Sequence, residues 1–197
     1  MGIYQFLCNC WLRDSQSNMD EMFESCLFLR DEQEIREVLS SYHHSPSTIG
    51  KLQRPSDQSN LLLVASVAGD APLVELLLQE GSQVVDDHDG NSPLLVACLG
   101  GHTAVVDALL DAGNDWVTRS NHQGTTPLMA AAWRGHLAIV KKLAQMPGVS
   151  LTTTDSLNRT AKDLAKEWGH PPVVEFLEAN MTESLSKTLG TYQQTMG

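Results

Sequence analysis

The sequence predicts an all-α solenoid: short helix-turn-helix units stacked side by side, with a degenerate capping unit at the N-terminal end. Three observations carry this. One stretch recurs, as "GNSPLLVACLGGH" (90–102), "GTTPLMAAAWRGH" (124–136) and "NRTAKDLAKEWGH" (158–170). The turn glycines Gly101, Gly135 and Gly169 lie 34 residues apart, and Gly69 of "NLLLVASVAGD" precedes Gly101 by 32. A period near 33 over four units marks a repeat array, in which each unit hides its apolar face only against its neighbours. The second observation is that every unit continues with an apolar pattern of helical spacing: "APLVELLLQEG", "TAVVDALLDAG", "LAIVKKLAQMPG" and "PPVVEFLEAN". The third is local chemistry. Thr126 suits a helix N-cap, and Pro127 suits the first helical position, where its missing N–H costs nothing. Ala130, Ala131 and Ala132 are small enough for close helix approach, and Gly135 can end the helix in the left-handed conformation.

In order along the chain, residues 1–19 form an apolar arm and 20–57 a degenerate capping repeat with a long loop. Repeats follow at 58–86, 87–120, 121–154 and 155–180, and a polar tail occupies 181–197. In the capping unit Cys26 falls where Ala65 does and Asp31 where Asp70 does, with Arg30 in place of the turn glycine. Asp31, Glu32, Glu34 and Glu37 suit a face with no neighbour. In the last repeat Lys162 takes the place of Leu94 and Leu128, as a partly solvated end requires.

The stretch "GTTPLMAAAWRGHLAIVKKL" resembles the ankyrin repeat, whose pattern is G-x-T-P-L-H-x-A-A-x-x-G-H followed by an I-V-x-x-L-L helix. The resemblance covers about residues 58–180. It implies an ankyrin-repeat solenoid that binds another protein. One departure stands out. The histidine of T-P-L-H resembles a hydrogen-bonding post between repeats, but Leu63, Leu95, Met129 and Asp163 hold that position here. Apolar contact is therefore expected to replace the polar links between repeats.

Composition and motifs exclude several functions. Acidic residues outnumber basic ones, 24 to 13, for a net charge of −11, so no nucleic-acid partner is expected. Cys8, Cys10, Cys26 and Cys98 follow no disulfide framework and read as reduced thiols. Asn158 and Asn180 open glycosylation sequons that an intracellular chain leaves unused. His102, His136 and His170 recur once per repeat. Neighbouring helices pack about 8–10 Å apart, whereas zinc holds nitrogens at about 2.0–2.1 Å, so these histidines read as turn structure and not as a metal site. His43 and His44 form a loop pair, also not read as a metal site. No nucleophile triad, phosphate loop or zinc-protease motif is present, so neither an enzyme, a cofactor nor a small-molecule substrate is expected.

Function then falls on positions that the scaffold leaves free. These are the loop tips and the two residues before each turn glycine. The tips offer His88, Asp89 and Asn91, then His122, Gln123 and Thr125, then Ser156, Leu157 and Arg159. The pre-glycine positions place Val67, Leu99 and Trp133 in an apolar row, ending near Arg134 and Trp168. Tryptophan and arginine are frequent interface hot spots, so the row is read as a concave groove for a partner peptide or helix, centred on Trp133 and Trp168. Mutual packing of the same side chains, or a cover supplied by the N-terminal arm, is the competing reading. The leading function is a non-enzymatic, monomeric adaptor or scaffold in the cytoplasm or nucleus. Alternatives are a stoichiometric inhibitor or regulatory subunit of a kinase or transcription factor, and a membrane-tethered targeting factor. The last rests on Gly2 and on lipidation of Cys8 and Cys10, but Phe6 replaces the Ser or Thr that myristoylation favours. Ser45 and Ser56 lie in the loop 40–58, which reads as a spacer.

Overall fold

A side-chain oxygen opens each first helix of the array. Asn60, Ser92, Thr126 and Thr160 stand in extended conformation and accept a hydrogen bond from the backbone N–H three residues on. Each satisfies a donor that the first helical turn leaves orphaned, a contribution of about 1 kcal/mol. The computed structural model describes residues 60–113 and 115–181. The arm (1–19), the capping repeat (20–57) and nearly all of the tail lie outside them, as do Cys8, Cys10, Cys26, His43 and His44.

Eight helices stand among the described residues, with no extended strand between them. They pair as α1 (Leu61–Ala68) with α2 (Ala71–Gln79), and α3 (Pro93–Gly100) with α4 (Thr103–Ala112). Next come α5 (Pro127–Trp133) with α6 (Leu137–Ala144), and α7 (Ala161–Glu167) with α8 (171–181). The first helices α1, α3, α5 and α7 lie side by side in one layer, and α2, α4 and α6 form a second layer behind them. The described residues thus form an all-α solenoid of stacked helical hairpins.

One continuous apolar core runs between the layers. Leu62, Leu94 and Leu128 lie at equivalent positions of successive repeats, and none is more than 3 % exposed. From the second layer come Val74, Leu77, Val106, Leu109, Val140 and Leu143. Ala130, Ala131 and Ala132 are fully buried, where α5 passes between α3 and α7. Removing such side chains from water is the main force holding the stack, roughly 1.5–3 kcal/mol for each leucine.

The polar links between repeats overturn one expectation. Leu63, Leu95 and Met129 are indeed buried apolar contacts, but polar links are also present, carried by other residues. His102 and His136 stand at helix N-caps without capping through their side chains. Their rings instead sit over the turn of the preceding repeat, where they occupy the space that a Cβ on Gly69 or Gly101 would need. His170 does the same over Gly135. The ring Nε2 of His102 bonds the carbonyl of Val67 at 3.1 Å, and that of His170 bonds the carbonyl of Trp133 at 3.0 Å. The sequence pattern cannot reveal this, because the G-H pair looks local while its partner lies one repeat away. Arg119 with Asp86 and Lys142 with Asp107 add partly exposed ion pairs across the same boundaries.

Candidate functional site

The loops between repeats are anchored by an acidic or amide side chain with the period of the array. Asp87 Oδ1 accepts the N–H of Asp89 and of Asn91. Asn121 Oδ1 accepts those of Gln123 and Thr125, and Asp155 Oδ1 those of Leu157 and Arg159. Each loop closes three residues later, at Gly90, Gly124 or Asn158, all with positive φ. Asn158, at φ 59°, is a side chain that tolerates the left-handed region. These anchors escaped the sequence reading, although their signal is present: Asx residues 34 apart, each three before a Gly or Asn.

Successive loops are joined to each other. The His122 N–H donates to the Asp89 carbonyl and the Ser156 N–H to the Gln123 carbonyl, both at 3.0 Å. The Asn121 amide also donates to Asn91 Oδ1 at 2.9 Å. The tip residues Asp89, Asn91, His122 and Gln123 are thus joined from loop to loop in a single ladder, with His88 and Thr125 beside them in the same loops. Of these, His88, Asp89, His122 and Gln123 are exposed, while Asn91 and Thr125 are half-buried. Asn91 is engaged on both sides, because its amide also donates to Asp87 Oδ2. Arg159 belongs to the scaffold as well. Its guanidinium pairs with Asp155 at 2.9 Å and with Glu167 at 3.3 Å. Burial by itself raises the Asp155 carboxyl. The backbone and guanidinium of Arg159 and the Leu157 N–H together outweigh it and hold Asp155 below the usual aspartate range.

The second group of predicted residues lies at the C-terminal ends of the first helices. Val67 is 55 % and Trp168 56 % exposed, whereas Leu99 and Trp133 are half-buried against the core. The Trp133 and Trp168 rings meet edge to face, with centroids 5.5 Å apart and planes at 66°. The mutual packing weighed from the sequence is therefore real, yet more than half of Trp168 stays in solvent. The Arg134 guanidinium carbon stands 5.2 Å from the Trp133 ring centroid, in cation–π range. The helices α1, α3 and α5 that carry this row contain no charged residue. Leu157, at the tip of the last loop, is 67 % exposed and adds a further apolar side chain to the same repeat as Trp168.

Other candidates are weaker. Cys98 is fully buried, and burial pushes its thiol far above the usual range, so it is inert and not nucleophilic. A shallow cleft of about 40 Å³ lined by Val117, Leu128, Val149 and Thr153 has room for no more than a few water molecules. Among the described residues no cluster of His, Cys, Asp and Glu is arranged to hold a metal, and no helix is long and apolar enough to cross a membrane.

Residues 61–155 match the family model for ankyrin repeats, in three copies. No curated protein sequence matches the chain.

Proposed function

Since this chain belongs to the ankyrin-repeat family, whose repeats are protein–protein interaction modules, we propose that it is an adaptor that docks a partner protein along the row Val67–Leu99–Trp133–Trp168. One observation supports this above the others. Trp168, a large apolar side chain more than half in solvent, leans on Trp133 at the end of α5, and the row runs back from it along the charge-free helices α5, α3 and α1 to the exposed Val67. The exposed half of Trp168 contributes little to folding, because the aromatic pair itself is worth only about 0.5–1.5 kcal/mol. Buried in an interface, the same side chain is of the type whose truncation costs about 2 kcal/mol or more. The loop ladder, with His88, Asp89, His122 and Gln123 exposed, borders the partner as a polar rim.

The test is affinity capture from cell extract with the whole chain, comparing wild type with Trp168→Ala and with Trp133→Phe. Both variants should keep the helical circular dichroism and the urea midpoint within a small margin, and Trp168→Ala should lose the captured partner. Capture unchanged by Trp168→Ala, or a collapse of folding on that substitution, sinks the reading. A partner enzyme whose activity falls at equimolar ratio would make the chain an inhibitor and not an adaptor.

A further inference from the structure

One end of the docking row carries a feature that apolar packing does not explain. Arg134 is exposed at the end of α5, beside a ring it does not need for solvation. The other two arginines among the described residues are both matched by carboxylates: Arg119 by Asp86, and Arg159 by Asp155 and Glu167. Among the described residues, no carboxylate pairs with Arg134. The acids of α7, beyond the Trp133–Trp168 contact, are engaged elsewhere. Asp163 accepts from the Thr160 N–H and hydroxyl, and Glu167 is held by Arg159. In a chain with 24 acidic and 13 basic residues, a shortage of acids does not account for an unmatched arginine.

The chemistry of the placement selects a ligand. An arginine over an indole keeps its N–H edge free, and that fork matches a carboxylate with two parallel hydrogen bonds. Arg134 also puts a positive charge over the Trp133 face, where a partner's lysine would be repelled. Resting on the docking reading above, we propose that Arg134 is a carboxylate-reading subsite. The partner segment is acidic and aliphatic: an Asp or Glu side chain bonds Arg134, and neighbouring aliphatic side chains pack on Leu99, Trp133 and Trp168.

The experiment selects random linear peptides displayed on phage against the immobilised full chain, as wild type, Arg134→Glu, Arg134→Gln and Trp168→Ala. Wild type should enrich peptides with Asp or Glu next to Leu, Ile or Val. Arg134→Glu should keep the aliphatic preference but exchange the acid for Lys or Arg, and Arg134→Gln should lose the preference without reversing it. A peptide selected on wild type should bind Arg134→Glu about tenfold or more weakly, the scale of one charge-assisted hydrogen bond. Replacing that peptide's acid by its amide should weaken binding to wild type, cost nothing further on Arg134→Gln and recover part of the loss on Arg134→Glu, where it removes a carboxylate from beside the new one. Circular dichroism on each variant confirms that the fold is intact. Peptides that depend on Trp168 but show no acid preference, or bind Arg134→Glu equally well, overturn the subsite and leave the docking row standing. Enrichment of no peptide, or of peptides indifferent to both Trp168→Ala and Arg134→Glu, overturns the docking row and the subsite together.

Discussion

The first and last described repeats have the same backbone plan and opposite chemistry. Helix α1 reads LLLVASVA, and its one polar residue, Ser66, is buried and donates its hydroxyl to the Leu62 carbonyl. Helix α7 reads AKDLAKE, with Lys162 and Asp163 where α1 has Leu62 and Leu63. Leu62 is fully buried, while Lys162 is half-buried and reaches toward Glu178 of α8 at 3.8 Å. The same contrast holds in the turns. Gly69 carries the His102 ring over it, while no described residue lies beside Gly169, although its φ is the same 76°. Leu62 is apolar, and Gly69 must be glycine for steric reasons, where a neighbouring repeat lies against them; Lys162 and Gly169 meet no such demand from the described residues. The backbone demands helices everywhere, and the neighbour decides their chemistry.

The strongest way to break the comparison is to exchange the two chemistries. Leu62→Lys puts a charge where no water reaches and should unfold the N-terminal side of the array in a urea titration. Lys162→Leu, at the equivalent position, should change stability by less than about 0.5 kcal/mol, as for an ordinary surface site. Next in size, Leu94→Ala should cost about 2–5 kcal/mol, because the cavity between two repeats cannot close freely.

The turn glycines separate backbone strain from contact. Gly169→Ala should cost about 1 kcal/mol, the penalty of a Cβ at positive φ. Gly135→Ala meets the His170 ring as well, and should cost measurably more in the same titration. Equal costs at the two sites would show that the ring moves aside freely and clamps nothing.

The smallest effect is the acid response of the last repeat. The Asp155 and Asp163 carboxyls are both held below their ordinary range. For Asp155 the bonds from Arg159 and Leu157 outweigh burial, and for Asp163 the Thr160 hydroxyl and N–H dominate. A folded pKa below the unfolded one adds stability at neutral pH that is lost as pH falls from about 4 through the folded values. Amide exchange at acid pH should therefore rise at Arg159 and Leu157 before it rises in α3. In Asp155→Asn, which keeps a side-chain oxygen to accept the Leu157 and Arg159 N–H groups but not the charge, that early loss should shrink.

Much of this was legible in the sequence. The period of 34, the caps and the apolar spacing predicted the helices, because each depends on residues within one unit. The pre-glycine positions also pointed to Trp133, Arg134 and Trp168, since scaffold rules leave them unassigned. What stayed hidden was where the polar side chains find their partners, above all across a repeat boundary. His102 and His170 looked like local turn residues and prove to be links to the preceding unit. Arg159 looked like a free loop cation and proves to be bound to Asp155. Leu99 and Trp133 looked as open as Val67, yet both lean on the core.

The sequence by itself determined the array: how many helices each described repeat has, where they start and stop, and which rows are apolar. It could do so because capping, helix periodicity and glycine turns act over a few residues. Only the tertiary structure decided which polar groups are used up by neighbours and which remain. Hydrogen bonds and ion pairs need atoms within about 3–4 Å, and residues one repeat apart in sequence reach that distance only once the units are stacked. Arg119 is matched across a repeat boundary by Asp86, Arg159 is matched inside its own repeat by Asp155 and Glu167, and no carboxylate among the described residues is matched to Arg134.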